Sequence, residues 1–197
     1  MKTLRRSECS IILASGMLLI DEMETIEVPG GSITGLPFFG EHCDLNIGTK
    51  AAHLISLKDK TFLLAADSNN IEPELYRHLF ELVGEIDILF LGMECDGAPM
   101  SWLYGPLLTK PLDRKMDQSR RFSGSNYEKG MQLVDCFNFD EVYIYALGQE
   151  PWLTYALSLK YTEESNPIID SNKLIADCHS RGIISERFFG HKECVYA

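Results

Sequence analysis

Polar side chains that could bind a metal ion recur at one kind of position in the sequence. Each follows an apolar segment of the type that forms a buried strand: Glu41, Asp67, Glu94 and Gln149. In α/β folds functional side chains gather at the carboxyl ends of strands, so these residues are candidates for one shared site. Carboxylates that lie close together must be protonated, separated or bridged by a cation. An oxygen-rich site with few imidazoles favours iron, manganese or magnesium.

The densest group of potential ligands lies in the segment GEHCDL, directly after the apolar run LPFF. Glu41 in this segment has a high desolvation cost unless a cation or hydrogen-bond donors satisfy it. His42 could bind the same metal ion, or it could form a structural hydrogen-bonded pair with Asp44. Asp67 has two interpretations as well, because it could bind the metal or bond the turn DSNN that it begins. For Glu94 the alternative to a site role is solvation of its loop.

A second set of candidates lies in the irregular segment 98–124, since a loop of this length in a compact domain is often functional. Trp102 and Tyr104 could form an aromatic wall of a substrate pocket, and packing in the core is the alternative. Arg120 and Arg121 precede a predicted helix. With the N-terminus of that helix they could bind a phosphate or carboxylate, and the alternative is a capped helix with exposed arginines.

The composition narrows the class of protein. The net charge of -11 over 197 residues disfavours binding to nucleic acids and to anionic membranes. Six cysteines without a CxxC pair exclude a zinc ribbon and indicate reduced thiols in a cytoplasmic protein. Cys43 and Cys95 stand beside acids, which raise a thiol pKa, so thiol catalysis is not predicted. The apolar run at 11–20 is too short to span a bilayer, and its flanks argue against a signal peptide.

Hydrophobic periodicity and turn residues predict an α/β layered arrangement of strands and helices. Strands are predicted at 24–28, 33–39, on both sides of the turn 58–60, at 86–93 and at 141–148. Helices are predicted between Pro73 and Gly84, from Ser125 or Asn126, and from Asp170 or Ser171 to Gly182. No domain boundary is visible, so residues 1–197 form one predicted domain, with 1–23 as a possible atypical N-terminal segment.

GEHCDL followed by TFLLAADSNN resembles the central part of the metallo-β-lactamase fold. In that fold one strand ends in a Gly-His turn whose histidine binds a metal, and the next strand but one ends in a bridging aspartate. The corresponding positions are Glu41 and Asp67, which are 26 residues apart. A glutamate in place of the histidine resembles the dinuclear-iron oxygenases of this fold, the β-hydroxylases that act on carrier-bound amino acids. The resemblance spans roughly 24–195, and the signature His-x-His-x-Asp-His is absent.

The resemblance implies a metallo-β-lactamase-like αββα layered fold, mainly its C-terminal αβ half. It implies a metal-dependent enzyme, either an oxygenase with two irons or a hydrolase, with zinc or manganese as alternative metals. The implied metal ligands are Glu41, Asp67 and His42, and a small-molecule or carrier-bound substrate would contact Arg120, Arg121, Trp102 and Tyr104. Gln149 and Glu150 stand where the fold has its last metal-binding histidine, which leaves His191 as a late candidate.

These ligands are fewer than two metal ions need, so the remaining ligands must come from another segment or chain. The alternative function is a non-catalytic half-domain that binds no metal. Such a half exposes the apolar sheet face that its counterpart covers in the complete fold, so it should form a homodimer or bind a complementary N-terminal half.

Overall fold

A computed structural model describes most of the chain from residue 12 to residue 195. The described residues are 12–14, 17–19, 24–38, 50–65, 73–96, 101, 106, 108, 110–118, 124–149, 151, 154–155 and 160–195. The strands are β1 Ile12–Ala14, β2 Met17–Leu19, β3 Glu24–Val28, β4 Gly31–Phe38, β5 Lys50–Leu57, β6 Lys60–Ala65, β7 Ile88–Gly92, β8 Glu141–Tyr145 and β9 Ile184–Arg187. The helices are α1 Pro73–Val83, α2 Arg114–Gln118, α3 Tyr127–Val134 and α4 Asn166–Ser180.

A mixed sheet with the order β3-β4-β5-β6-β7-β8-β9 is the centre of this fold, and β1 and β2 form a separate hairpin. The first strands pair antiparallel up to β5–β6. From β6 onward the pairs β6–β7, β7–β8 and β8–β9 are parallel. Consequently β4, β6, β7, β8 and β9 all run in one direction.

The two faces of the sheet differ because side chains alternate along each strand. Leu63, Leu89 and Val142 are paired neighbours on one face, and all three are fully buried. They belong to a core cluster with residues of α1, α3 and α4, so we call this the helix face. The opposite face, here the aromatic face, carries rings that contact one another: Phe62, Phe90, Tyr143, Tyr145 and Phe188.

Several predicted helix boundaries are confirmed. Helix α1 begins at Pro73, and Gly84 follows its last residue with a left-handed φ of 75°. The Gly84 N–H donates to the Phe80 carbonyl oxygen, which satisfies one of the free carbonyls at the helix end. Helix α3 has Asn126 as its N-cap, and the Asn126 side chain accepts a hydrogen bond of 3.0 Å from the Lys129 N–H.

Two predicted element boundaries are wrong, and one strand was not predicted. Helix α4 begins at Asn166 with Ser165 as its N-cap, so neither Asp170 nor Ser171 starts it. Strand β8 ends at Tyr145 and does not continue to residue 148. Strand β9 had no predicted counterpart, because ISER is short and mixes polar with apolar residues. Among the described residues, no helix is both long and apolar enough to cross a membrane.

Candidate functional site at the carboxyl edge of the sheet

The common direction of five strands brings their carboxyl ends to one edge of the sheet, here called the carboxyl edge. These strands end at Phe38, Ala65, Gly92, Tyr145 and Arg187. Neighbouring pairs such as Ala65–Leu91 and Leu91–Ile144 show that the ends of β6, β7 and β8 lie at nearly the same level. The prediction that these strand ends share one edge therefore agrees with the sheet topology.

The predicted ligand and substrate residues themselves lie outside the described residues, so their roles stay predictions. They are Glu41, His42, Asp67, Trp102, Tyr104, Arg120 and Arg121. Glu41 follows the end of β4 by three residues, and Asp67 follows the end of β6 by two. The chain thus enters both segments from the carboxyl edge.

Glu94, two residues beyond β7, is held at this edge by an aromatic hydroxyl. The Tyr161 hydroxyl lies 3.0 Å from Glu94 Oε1 and 3.1 Å from the Asp96 carbonyl oxygen, so it donates its hydrogen to these acceptors. Asp96 also accepts a hydrogen bond of 2.9 Å from the Asn166 side-chain amide. The loop after β7 is therefore fixed to the segment that enters α4. Glu94 is half-buried and hydrogen-bonded in this position, and both interpretations of it, a site role and solvation of its loop, stay predictions.

Two left-handed residues follow β8 and precede a second polar residue at this edge. Ala146 has a left-handed φ of 52° and Gly148 has a φ of 76°. A Cβ atom on Gly148 would lie 3.2 Å from Glu94 Oε1 and 3.5 Å from the Tyr161 ring, which shows how closely this segment packs. Non-glycine residues in this conformation are strained and cluster at functional sites. Gln149 is the next residue along the chain.

Gln149 lines a cavity of about 330 Å³, here called the carboxyl-edge cavity. Its other described lining residues are Pro151, Thr154, Lys160 and Tyr161. Because Tyr161 also bonds Glu94, one wall of the cavity is fixed to the end of β7. The cavity thus lies beside the ends of two parallel strands, where α/β folds bind ligands.

Gly124 anchors the chain that follows the two predicted substrate arginines. Its N–H donates to the Glu94 carbonyl oxygen at 2.9 Å, and the Ser125 N–H donates to the Gly92 carbonyl oxygen at 2.8 Å. A Cβ atom on Gly124 would lie 2.2 Å from the Glu94 backbone nitrogen, so only glycine fits. Arg120 and Arg121 precede this anchor by four and three residues.

The N-terminus of α3 already holds an anion from the chain itself. The Asp170 carboxylate, on α4, accepts a hydrogen bond of 3.1 Å from the Tyr127 N–H. The Asn126 side chain accepts from the Lys129 N–H, as described above. Because N–H groups at the start of α3 already donate to Asp170 and Asn126, the structure disfavours the prediction that this helix end binds a phosphate together with Arg120 and Arg121. Binding of an anion by the two arginines without the helix end stays a prediction.

Cys95 lies in the same loop but is not a thiolate. Its burial, with a contribution from the nearby Asp170 carboxylate, raises the pKa of the Cys95 thiol to about 12. The Cys95 Sγ atom lies 3.9 Å from Asp170 Oδ2. The expectation of a raised pKa at Cys95 is confirmed, whereas Cys43 lies outside the described residues.

The late histidines do not form a metal site within the part of the chain that the structure describes. The His179 Nε2–H donates to the Ser185 carbonyl oxygen at 2.8 Å, which is a structural role. His191 is exposed. Across the described ranges no group of three or more His, Cys, Asp or Glu side chains could hold a metal ion.

Sequence reasoning missed the residues that complete the carboxyl edge. Tyr161 bonds Glu94 across 67 residues of sequence, and no local pattern marks such a partner. Lys160, Thr154 and Pro151 had no predicted role either. The one available signal was the segment ALGQ after a predicted strand, in which a glycine directly precedes a polar side chain.

The chain is similar in sequence to a known hydroxylase, although no protein-family model matches it. The chain is 43% identical over 168 residues to the 4-amino-L-phenylalanyl-(CmlP-peptidyl-carrier-protein) 3-hydroxylase of Streptomyces venezuelae. This match covers 85% of the chain and 32% of the hydroxylase, so the chain spans about a third of the length of that relative.

The fold agrees with the same relative. The crystal structure of CmlA, a diiron β-hydroxylase from Streptomyces venezuelae, superposes with a TM-score of 0.74 at 43% identity and covers 84% of this chain and 32% of CmlA. A glutamate-to-aspartate variant of CmlA superposes with a TM-score of 0.70 at 41% identity, covering 84% of this chain and 31% of the variant. The predicted metallo-β-lactamase-like α/β fold and the predicted dinuclear-iron branch both agree with this relative. The chain is thus a homologue of a diiron β-hydroxylase over about a third of that enzyme's length, as the residues around Glu41 and Asp67 had indicated.

Proposed function

We propose that this chain forms part of an iron-dependent oxygenase that hydroxylates the β-carbon of a carrier-bound amino acid. What supports the proposal is the 43% identity over 85% of the chain to a hydroxylase that acts on such a substrate. The common direction of β4 and β6 is consistent with it, because Glu41 and Asp67 then follow strands that end at one edge. We propose an oxygenase and not a hydrolase, since the relative is a diiron hydroxylase.

The ligand atoms that the predicted residues supply are of the types that bind iron. Glu41 and Asp67 supply carboxylate oxygens and His42 supplies an imidazole, a combination that suits iron better than a soft metal. Bound iron would activate dioxygen at this edge. In the proposed arrangement Glu41 and Asp67 would hold the iron, and His42 would be a further ligand or would orient one. Because these side chains are too few for two ions, the other ligands come from a segment or chain besides them.

The remaining predicted residues would hold the substrate. Arg120 and Arg121 are the basic residues closest in sequence to Gly124, and they would bind an anionic group of the substrate. Trp102 and Tyr104 would form an aromatic wall against its side chain. The described residues of the carboxyl edge would orient these segments, since Glu94 and Gly92 fix the chain after residue 123 through the hydrogen bonds of Gly124 and Ser125.

Metal analysis of the purified chain tests this proposal. We expect near-stoichiometric iron in the unaltered chain and a loss of at least roughly tenfold in Glu41→Ala and Asp67→Ala, because each removes a direct ligand. Glu27→Ala and Asp59→Ala remove exposed acids of the same types elsewhere and should keep the iron. A well-folded chain that takes up no iron would contradict the proposal for this chain.

The second candidate function is a non-catalytic half that associates with another chain. It is favoured by the aromatic face, where Phe62, Phe90, Tyr145 and Phe188 are only half-buried. Large half-exposed apolar faces in soluble proteins mark interaction sites. A metal-free homodimer, or a metal-free complex with a complementary N-terminal half, detected by light scattering at several protein concentrations, would support this function over the oxygenase.

A further inference from the structure

The Asp117 carboxylate holds Ser101 through both of its oxygens. Asp117 Oδ1 accepts a hydrogen bond of 2.6 Å from the Ser101 N–H, and Asp117 Oδ2 accepts one of 2.9 Å from the Ser101 hydroxyl. Both residues are half-buried. Hydrogen bonds to an ionised carboxylate are stronger than neutral ones, and two of them together fix the direction of the donor as well as its distance. The Ser101–Asp117 pair therefore joins two points of the chain that are 16 residues apart.

The backbone of α2 fixes the Asp117 carboxylate in turn. The Asp117 N–H donates to the Asp113 carbonyl oxygen at 2.9 Å, which is the hydrogen bond of a helical turn. The two aspartates differ, because Asp113 is exposed and Asp117 is half-buried. Burial of an acid is unfavourable unless hydrogen bonds satisfy it, so the bonds to Ser101 explain the position of Asp117.

The Ser101–Asp117 pair belongs to a segment whose two ends meet at the carboxyl edge. The chain leaves β7 through Asp96 and returns at Gly124, whose N–H donates to the Glu94 carbonyl oxygen at 2.9 Å. Ser101 is five residues beyond Asp96, and a chain reaches at most about 3.6 Å per residue, so Ser101 lies within about 18 Å of Asp96. The pair thus closes a shorter loop near this edge.

The two predicted aromatic substrate residues, Trp102 and Tyr104, follow Ser101 closely in sequence. Closing a loop costs chain entropy, and contacts at the base of the loop offset this cost before a ligand arrives. A binding surface that is held in this way pays a smaller ordering cost on binding than a free loop does. The bonds between Ser101 and Asp117 are contacts of this kind.

We infer that Asp117 is a positioning residue for the aromatic wall predicted at Trp102 and Tyr104. Its carboxylate fixes Ser101 and so sets where the segment with these two residues begins. Asp117 acts on the wall through Ser101. This inference rests on the proposed function, because the role of the wall in holding the substrate comes from it.

Tryptophan fluorescence of the full chain tests the inference, because Trp102 and Trp152 are its two tryptophans. In a Trp152→Phe background the signal comes from Trp102 alone. We expect Asp117→Ala to raise the acrylamide quenching constant of Trp102 roughly twofold, because the loop opens locally without the pair. The control Asp59→Ala removes an exposed acid from the turn between β5 and β6, and its quenching constant should equal that of the background chain.

Partial variants separate the effect of the pair from a general loss of structure. Ser101→Ala removes only the hydroxyl bond, and Asp117→Asn keeps one acceptor oxygen for the Ser101 N–H, so each should change the quenching constant less than Asp117→Ala does. Adding Ser101→Ala to Asp117→Ala should change nothing further, because both bonds are already lost. Equal quenching in Asp117→Ala and Asp59→Ala, or additive effects of the two alanine changes at the pair, would overturn the inference.

Should Asp117→Ala fail to fold, hydrogen exchange of the Ser101 amide in the unaltered chain decides. Slow exchange supports the pair, and exchange at the rate of an unstructured amide contradicts it. Iron measured on the same samples separates the two proposals. Iron without an effect of Asp117→Ala on quenching overturns the role of Asp117 alone, and the effect on quenching without iron contradicts the oxygenase alone.

Discussion

The two edges of the central sheet are built in different ways. At the amino edge, where β6 to β9 begin, charged and backbone groups join neighbouring strands. Asp87 accepts hydrogen bonds of 2.7 Å from the Thr61 N–H and 3.1 Å from Lys60 Nζ. Its carbonyl oxygen accepts from the N–H groups of Asp140 and Glu141. Asp87 thus joins the starts of β6, β7 and β8 at this edge.

The carboxyl edge instead has close contacts beside a cavity. Glu94 is fixed by Tyr161, Gly148 packs against both, and Gln149 lines the cavity. We therefore expect the amino edge to contribute mainly to stability and the carboxyl edge to position polar groups. Variants at matched positions on the two edges should separate these contributions.

The largest effect is expected at Gly124, where the carboxyl edge depends on a close approach of two backbones. Gly124→Ala places a Cβ atom 2.2 Å from the Glu94 nitrogen, so the backbone must move. We expect the free energy of unfolding to fall by about 3 kcal/mol, measured by urea denaturation. Gly35→Ala is the control, since no atom lies within 4 Å of a Cβ atom there. Equal stability of the two variants would mean that the contact between Gly124 and β7 is not tight.

The sequence predicted those elements whose signals are local. Strands β3 to β8 follow from periodicity, and helix α1 follows from periodicity together with Pro73 and Gly84, because burial of one face repeats along each element. The prediction of where α4 begins was wrong for a physical reason. Asp170 is a typical N-cap residue, but its carboxylate accepts from the Tyr127 N–H at the start of α3. Sequence alone does not reveal which helix a capping residue serves.

The common edge of the strands was predictable from the sequence, but the contacts along it were not. The acids after the strands indicated the carboxyl edge, because parallel strands bring their ends together. The bond between Glu94 and Tyr161 depends on the packing of segments 67 residues apart, so no local pattern contains it. The left-handed conformation of Ala146 could not be predicted either, since glycine or asparagine usually occupies this conformation.

An intermediate effect is expected at Asp87, which joins the strands at the amino edge. Partial burial raises the pKa of the Asp87 carboxyl, but the hydrogen bonds from Thr61 and Lys60 outweigh burial and hold it below its usual value. The carboxylate therefore stabilises the fold above the unfolded pKa of about 4, and this stabilisation is lost as the pH falls through the folded pKa.

Asp87→Asn should lower the free energy of unfolding by about 1 kcal/mol at pH 7. The difference from the unaltered chain should shrink below about pH 4, which denaturant titrations at pH 7 and pH 3 would measure. The exposed Asp59→Asn serves as the control. A difference that stays the same at both pH values would show that the charge of Asp87 does not contribute.

The smallest effect compares two strained residues, one on each edge. Lys58, in the turn between β5 and β6, and Ala146, after β8, both have a left-handed φ of 52°. Glycine removes the steric cost of this conformation but adds freedom to the unfolded chain, so each change to glycine should raise stability by only about 0.5 kcal/mol.

Their effects on local order should differ. Ala146→Gly loosens the segment in which Gly148 packs against Glu94 and Tyr161, and we expect faster amide hydrogen exchange at residues 146–149, measured by NMR. Lys58→Gly should leave the exchange at residues 146–149 unchanged, because its turn lies at the amino edge. If the exchange at residues 146–149 were equal in the two variants, the strained Ala146 would have no part in ordering this segment, and in this respect the two edges would be alike.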